Sequence, residues 1–106
     1  MTRTKPIMPI RNKIANKIEK AINEVIEENG SELKVERRNT SDHIDIKVSN
    51  PQAFVLSLNE VELVRQAISD IYEAYEEKIS IIFDTDPIIC SIGIIYQVVM
   101  NITIHK

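Results

Sequence analysis

The chain has no tryptophan, two glycines and a single cysteine among its 106 residues. One thiol cannot form a disulfide within the chain, so a cross-linked secreted scaffold is excluded. Two glycines, Gly30 and Gly93, leave little backbone able to wrap closely around a phosphate. None of the glycine-rich nucleotide-binding patterns is present. The nucleophile-elbow pattern of hydrolases and the H-E-x-x-H pattern of zinc peptidases are also missing. Long apolar runs are absent too. The most apolar stretch, residues 87–100, is interrupted by Ser91, Gly93 and Gln97, and it is shorter than the ~20 residues a spanning helix needs. Residues 1–9 are basic but lack the apolar segment of a secretory signal, so a cytoplasmic location is expected and no membrane is. Cys90 lies among apolar residues with no basic neighbour, which predicts a small buried side chain and not a reactive thiol.

Isoleucine is abundant, with twenty copies, and β-branched residues favour strands. The 43% hydrophobic and 27% charged residues are those of one globular domain, and the length leaves no room for a second. Residues 1–9, with Pro6 and Pro9, read as an irregular basic arm, and residues 10–106 as a single domain. Within it, Ile10, Ile14, Ile18, Ala21, Ile22, Val25 and Ile26 recur at steps of three and four, predicting an amphipathic helix that stops at Gly30. Alternating apolar and charged residues at 33–37 and 44–48, joined by the turn-rich residues 38–42, predict an antiparallel hairpin. Ala53 to Leu56 reads as a short third strand. Ser57 and Glu60 then form a capping-box signature ahead of a second helical stripe of Val61, Val64, Ala67, Ile68, Ile71, Tyr72 and Tyr75.

Residues 79–83 read as a strand, and Asp84, Thr85, Asp86 and Pro87 as a turn by composition. Beyond it the even positions from Cys90 to Ile104 are almost wholly apolar and the odd ones mixed. This is a strand pattern, either bent near Gly93 or divided into two strands. A short helix over 87–98, capped by Asp86, is the rival reading. The whole is an α+β two-layer sandwich, with an antiparallel sheet of four to five strands and two helices on one face in the order α-β-β-(β)-α-β-β.

Candidate chemistry is sparse. His43 and Asp45 share a strand face and could offer two metal ligands, but Asp42, His105, Asp84 and Asp86 are scattered, so a solvated strand is the simpler reading. No catalytic residue, metal or cofactor is expected. Charge is more informative. Residues 1–20 carry six basic groups against Glu19 alone, a net +5, which leaves −8 for the remainder and −3 overall. Arg3, Lys5, Arg11, Lys13, Lys17 and Lys20 are therefore the candidate partner-binding residues, engaging an acidic protein surface or, as the second reading, nucleic acid. The glutamates 27, 28, 32 and 36, and 60, 62, 73, 76 and 77, are acidic patches that solubility accounts for. Ile82, Ile89, Ile95 and Val99 fall on the off-face of the sheet pattern. Such a face wants cover, from the N-terminal arm or from a homodimer through the sheet face or an edge strand. The expectation is a small non-enzymatic protein-binding module. Its isoleucine-, lysine- and asparagine-rich composition suits an inhibitor or regulator from a phage or mobile element acting on host nucleic-acid-handling or defence machinery. A small enzyme or ligand sensor is the third reading.

Overall fold

A computed structural model describes residues 9–105. Helix α1 (Ile10–Asn29) is followed by strands β1 (Lys34–Asn39) and β2 (His43–Ser49). Helix α2 (Leu58–Ala74) and a 3-10 turn at residues 76–78 then lead to β3 (Ile79–Cys90) and β4 (Gly93–His105). The four strands form one antiparallel sheet in the order β1-β2-β4-β3. Both helices lie on one face of it, and the expected α+β class and element order hold.

Each helix ends where its chemistry requires. Ile14, Ile18 and Ile22 are fully buried along the stripe of α1, and Gly30 closes the helix at φ 59°, ψ 33°, a left-handed conformation that a side chain would strain. At the start of α2, the Ser57 hydroxyl accepts from the Glu60 amide at 3.1 Å, and the Glu60 carboxylate accepts from the Ser57 amide at 2.8 Å. The core lies between these helices and the sheet. Ile14, Ile18, Ile22, Val64 and Ile68 meet Ile44, Ile46, Val48, Met100, Ile102, Ile104 and Ile79. Arg37 points to the helix side of β1, where alternation calls for an apolar residue. It donates to Asn16 at 2.5 Å and Glu19 at 3.2 Å, fastening α1 to the sheet edge.

The chain beyond β2 departs from expectation in two respects. Residues 53–56 are bend and irregular chain, not a strand, so the sheet has four strands. Asp84, Thr85, Asp86 and Pro87 are not a turn: they continue β3, and the reversal comes at Ser91 and Ile92, before Gly93 at φ 131°. The helical alternative for 87–98 is excluded by the same strands. Period two carries both aspartates to the wet side, where Asp86 meets Lys47. The Val98 amide donates to the Phe54 carbonyl at 2.7 Å, so Val98 and Thr85 are a non-hydrogen-bonded pair. Pro87, two residues further along, then turns its missing N–H to the open edge of β3, where a proline is tolerated.

Candidate interaction surface

The open face of the sheet, opposite the helices, is lined with charges that neutralise one another. Lys47 lies 2.5 Å from Asp86 and 3.6 Å from Glu36, which also meets Lys34 at 3.0 Å. His43 contacts Asp45 at 3.2 Å, and the Thr103 hydroxyl donates to the same carboxylate at 2.8 Å. His105 bonds the Ser80 hydroxyl at 2.7 Å. A shallow depression of about 330 Å³ lies among these groups, lined by Arg38, Lys47, Asp84, Asp86 and Asn101. Among the described residues, no group of three or more His, Cys, Asp or Glu is placed to hold a metal ion.

The bond to Asp86 holds the Lys47 ammonium above the ordinary lysine value, and bonds from Lys34 and charge from Lys47 hold Glu36 below the ordinary glutamate value. The two shifts act at opposite ends of the pH scale. The raised lysine contributes stability that is complete below its unfolded pKa and is lost as pH rises through the folded one. The lowered glutamate contributes stability present above its unfolded pKa and lost as pH falls through the folded one. Lys47→Met is therefore expected to cost about 0.5–1 kcal/mol at pH 7, a figure discounted for solvent screening. The gap from wild type should close above the ordinary lysine range and narrow in acid. Urea midpoints for both proteins across pH give the test, and a gap independent of pH contradicts the ion-pair account.

The sequence-derived basic residues are only partly brought together. Arg3 and Lys5 lie outside the described residues. The Arg11 guanidinium donates to the Ser41 carbonyl at 2.9 Å, bracing the β1–β2 turn. The Lys17 ammonium lies 5.8 Å from the centre of the Tyr75 ring, a cation–π contact that no local sequence signal announces. Lys13 and Lys20 are exposed on the same flank of α1.

The larger feature is apolar, and it is on the β3–β4 hairpin. β2 pairs with β4 only from Met100 to His105, whereas β3 pairs with β4 along its whole length. Residues 83–99 therefore form a two-stranded arm beyond the end of β2, flanked at its base by residues 50–54 against Gln97 and Val98 and free toward the tip. The radius of gyration, 15.7 Å, and the 63 Å long axis reflect it, against about 13 Å for a compact chain of this size. The register fixes its faces. Met100 opposes Phe83, Tyr96 opposes Pro87 and Ile94 opposes Ile89, so these residues continue the helix-side face that holds Ile102 and Ile104 in the core. On the arm that face has no helix over it: Phe83 is 56% exposed, Ile89 86%, Ile94 61% and Tyr96 61%, with Ile92 at 85% on the tip.

This corrects the side assigned to Ile89. The two-residue turn at 91–92 sets odd positions of β3 beside even positions of β4, so Ile89 lies on the helix side, while Ile82, Ile95 and Val99 lie on the open side. Val99 is buried, not bare. Cys90 is half-buried at the arm's end, its thiol 3.3 Å from the Gly93 carbonyl, and not a core residue. Cover by the N-terminal arm is a matter that lies outside the described residues.

At the base of the arm, α2 stands off the edge of β3 and leaves a mainly apolar groove of about 520 Å³, lined by Val61, Ile68, Tyr72, Ile81, Phe83 and Met100, with Arg65 and Ser69 of α2 at its polar side. Groove and arm are continuous through Phe83. Between Phe83 and Asn101 the only charged residues are Asp84 and Asp86, both on the other face. No helix among the described residues is long and apolar enough to cross a membrane. No protein-family model matches the chain, and no curated protein matches it.

Proposed function

We propose that the chain is a protein-binding module whose contact surface is the apolar face of the β3–β4 arm together with the groove beneath α2. One observation carries this reading. The face of the sheet that forms the core runs on past the helices with the same aliphatic composition and no cover. A free two-stranded ribbon is marginal in water, and an exposed contiguous apolar strip marks an interaction site. The charges of the open face are largely paired internally, so the bare arm is the strongest unsatisfied surface on the described residues. An inhibitory or regulatory role is the form of this reading that suits a small domain with one dominant contact surface.

The test is a photo-reactive amino acid in place of Ile92, introduced in the cells from which the chain derives. A discrete protein adduct is expected, lost when Ile89→Lys and Ile94→Lys are added and retained with Lys13→Glu. Adducts to lipid alone, or no adduct, overturn the reading.

A further inference from the structure

Resting on that protein-binding reading, we propose that the occupant of the strip is a second copy of this chain. The two arms lie antiparallel with their helix-side faces together, each tip seated in the groove of the other protomer.

A two-fold interface requires one patch that is complementary to itself, carrying both a projection and a recess. This strip carries both. Ile89, Ile92 and Ile94 form a convex apolar end, and the recess between Tyr72, Ile68 and Phe83 lies at the other end of the same face. The span between them, from Phe83 to Cys90, is roughly 25 Å at the rise of a strand. A two-fold axis near Thr85 and Pro87, midway along, brings tip to groove at both ends at once. The area suffices. Phe83, Pro87, Ile89, Ile92, Ile94 and Tyr96, at roughly 100–150 Å² of exposed surface apiece, offer on the order of 800 Å², the share each partner gives to an interface of standard size.

Charge permits the pairing. The chain is net −3, yet the arm's face carries no charge, Thr85 being its one polar side chain on β3, and Arg65 at the groove is paired with Glu62 at 3.8 Å. Asp84 and Asp86 point away from the partner, and Asp86 is matched by Lys47. Edge pairing is the less suitable geometry, because Pro87 presents no donor to a strand added along the outside of β3. Face-to-face packing needs no donor there. It also gives the apolar face of the arm the second layer that the helices supply over the rest of the sheet.

Sedimentation of the full chain from 1 to 100 µM tests this. A single monomer–dimer equilibrium is expected, with a dissociation constant of about 10 µM or tighter. The pair Ile89→Lys and Ile94→Lys at the tip should weaken it at least 100-fold, and so should Tyr72→Lys in the groove, because the arrangement places those two regions in contact. Ile89 and Ile94 are well exposed, so the melting curve of the dilute monomer should stay in place for the tip pair, and Tyr72, 36% exposed and outside the core, should shift it only slightly. Lys13→Glu should leave association unchanged. Wild-type chain that stays monomeric at 100 µM overturns the inference, as does an open ladder of larger species. So does monomer that binds vesicles of phosphatidylcholine and phosphatidylglycerol through its tip. A monomeric chain that still gives a protein adduct at position 92 loses this inference and keeps the interaction reading. A chain that gives neither loses both.

Discussion

Ile102→Ala is expected to lower stability by about 3–4 kcal/mol. Ile102 is fully buried in the part of β4 that is paired on both sides, opposite Ile46 of β2 on one side and Ile81 of β3 on the other. Truncation removes the transfer energy of the lost carbons and leaves a cavity, because strands on both sides and two helices above hold the walls apart. For a domain whose whole stability is of the order of 5–15 kcal/mol, this is a large fraction. A fall of about 15 °C or more in melting temperature follows from the size scaling. Ile94→Ala provides the contrast. Ile94 lies on the same strand and face, eight positions earlier, but is 61% exposed. In the dilute monomer it should cost less than about 0.5 kcal/mol, as surface changes do. Urea denaturation with an unchanged slope measures both. Equal losses at the two positions would mean that the arm is covered within its own chain.

Gln97→Leu is the second large effect, about 2 kcal/mol. The segment between β2 and α2 folds back against β4, and Gln97 anchors it. Its side-chain amide donates to the Asn50 carbonyl at 2.6 Å and to the Ala53 carbonyl at 2.9 Å, with only 9% of the residue exposed. Leucine preserves much of the volume but supplies no donor, so the Ala53 carbonyl loses this bond and the Asn50 carbonyl is left with the Ala53 amide at 3.1 Å. The next residue reports the result, since the Val98 amide is held by Phe54 of the same segment. Amide exchange at Val98 should accelerate at least tenfold in the variant as the segment opens locally, while exchange at Ile102 follows only the global loss. Unchanged exchange at Val98 would show that the segment is held by something other than Gln97.

Much of this architecture is legible in the sequence, for definite reasons. The stripes of α1 and α2 are periodic over many turns, and Ser57 with Glu60 marks a helix start whose two hydrogen bonds form as expected. Gly30 and Gly93 are the two glycines of the chain, and each takes a positive φ next to an element boundary. What misleads is local composition. Asp84, Asp86 and Pro87 carry turn chemistry, but alternation puts both acids on the wet face and Pro87 at an edge, so the strand tolerates all three. Moving the turn from 84–87 to 91–92 then transfers Ile89 from one face to the other. Ala53 to Leu56 is apolar enough for a strand, yet Pro51 precedes it and the chain turns away toward Ser57.

The bare strip is a matter of lengths. A helix of 17 residues extends about 26 Å, and strands of 12 and 13 residues extend about 40 Å or more, so α2 cannot cover β3 and β4 end to end. Only the strand boundaries, which the misplaced turn obscured, make this readable. The basic flank was visible residue by residue. That Arg11 serves the β1–β2 turn and Lys17 meets Tyr75 depends on contacts 30 and 58 positions away, which no local pattern contains.

The strand order has a kinetic consequence. Helix α1 with β1 and β2, and helix α2 with β3 and β4, are two successive helix–hairpin units whose own strand pairs close over short loops. The seam that joins them, β2 against β4, links residues 52 to 62 positions apart, from Val48 with Met100 to His43 with His105. Short-range hairpins close in microseconds, whereas pairings of this separation must first overcome the entropy of closing a long loop. The seam is therefore the step that sets the folding rate. Until it closes, both central strands, which carry the core residues Ile44, Ile46, Val48, Met100, Ile102 and Ile104, each expose an unpaired edge to neighbouring chains.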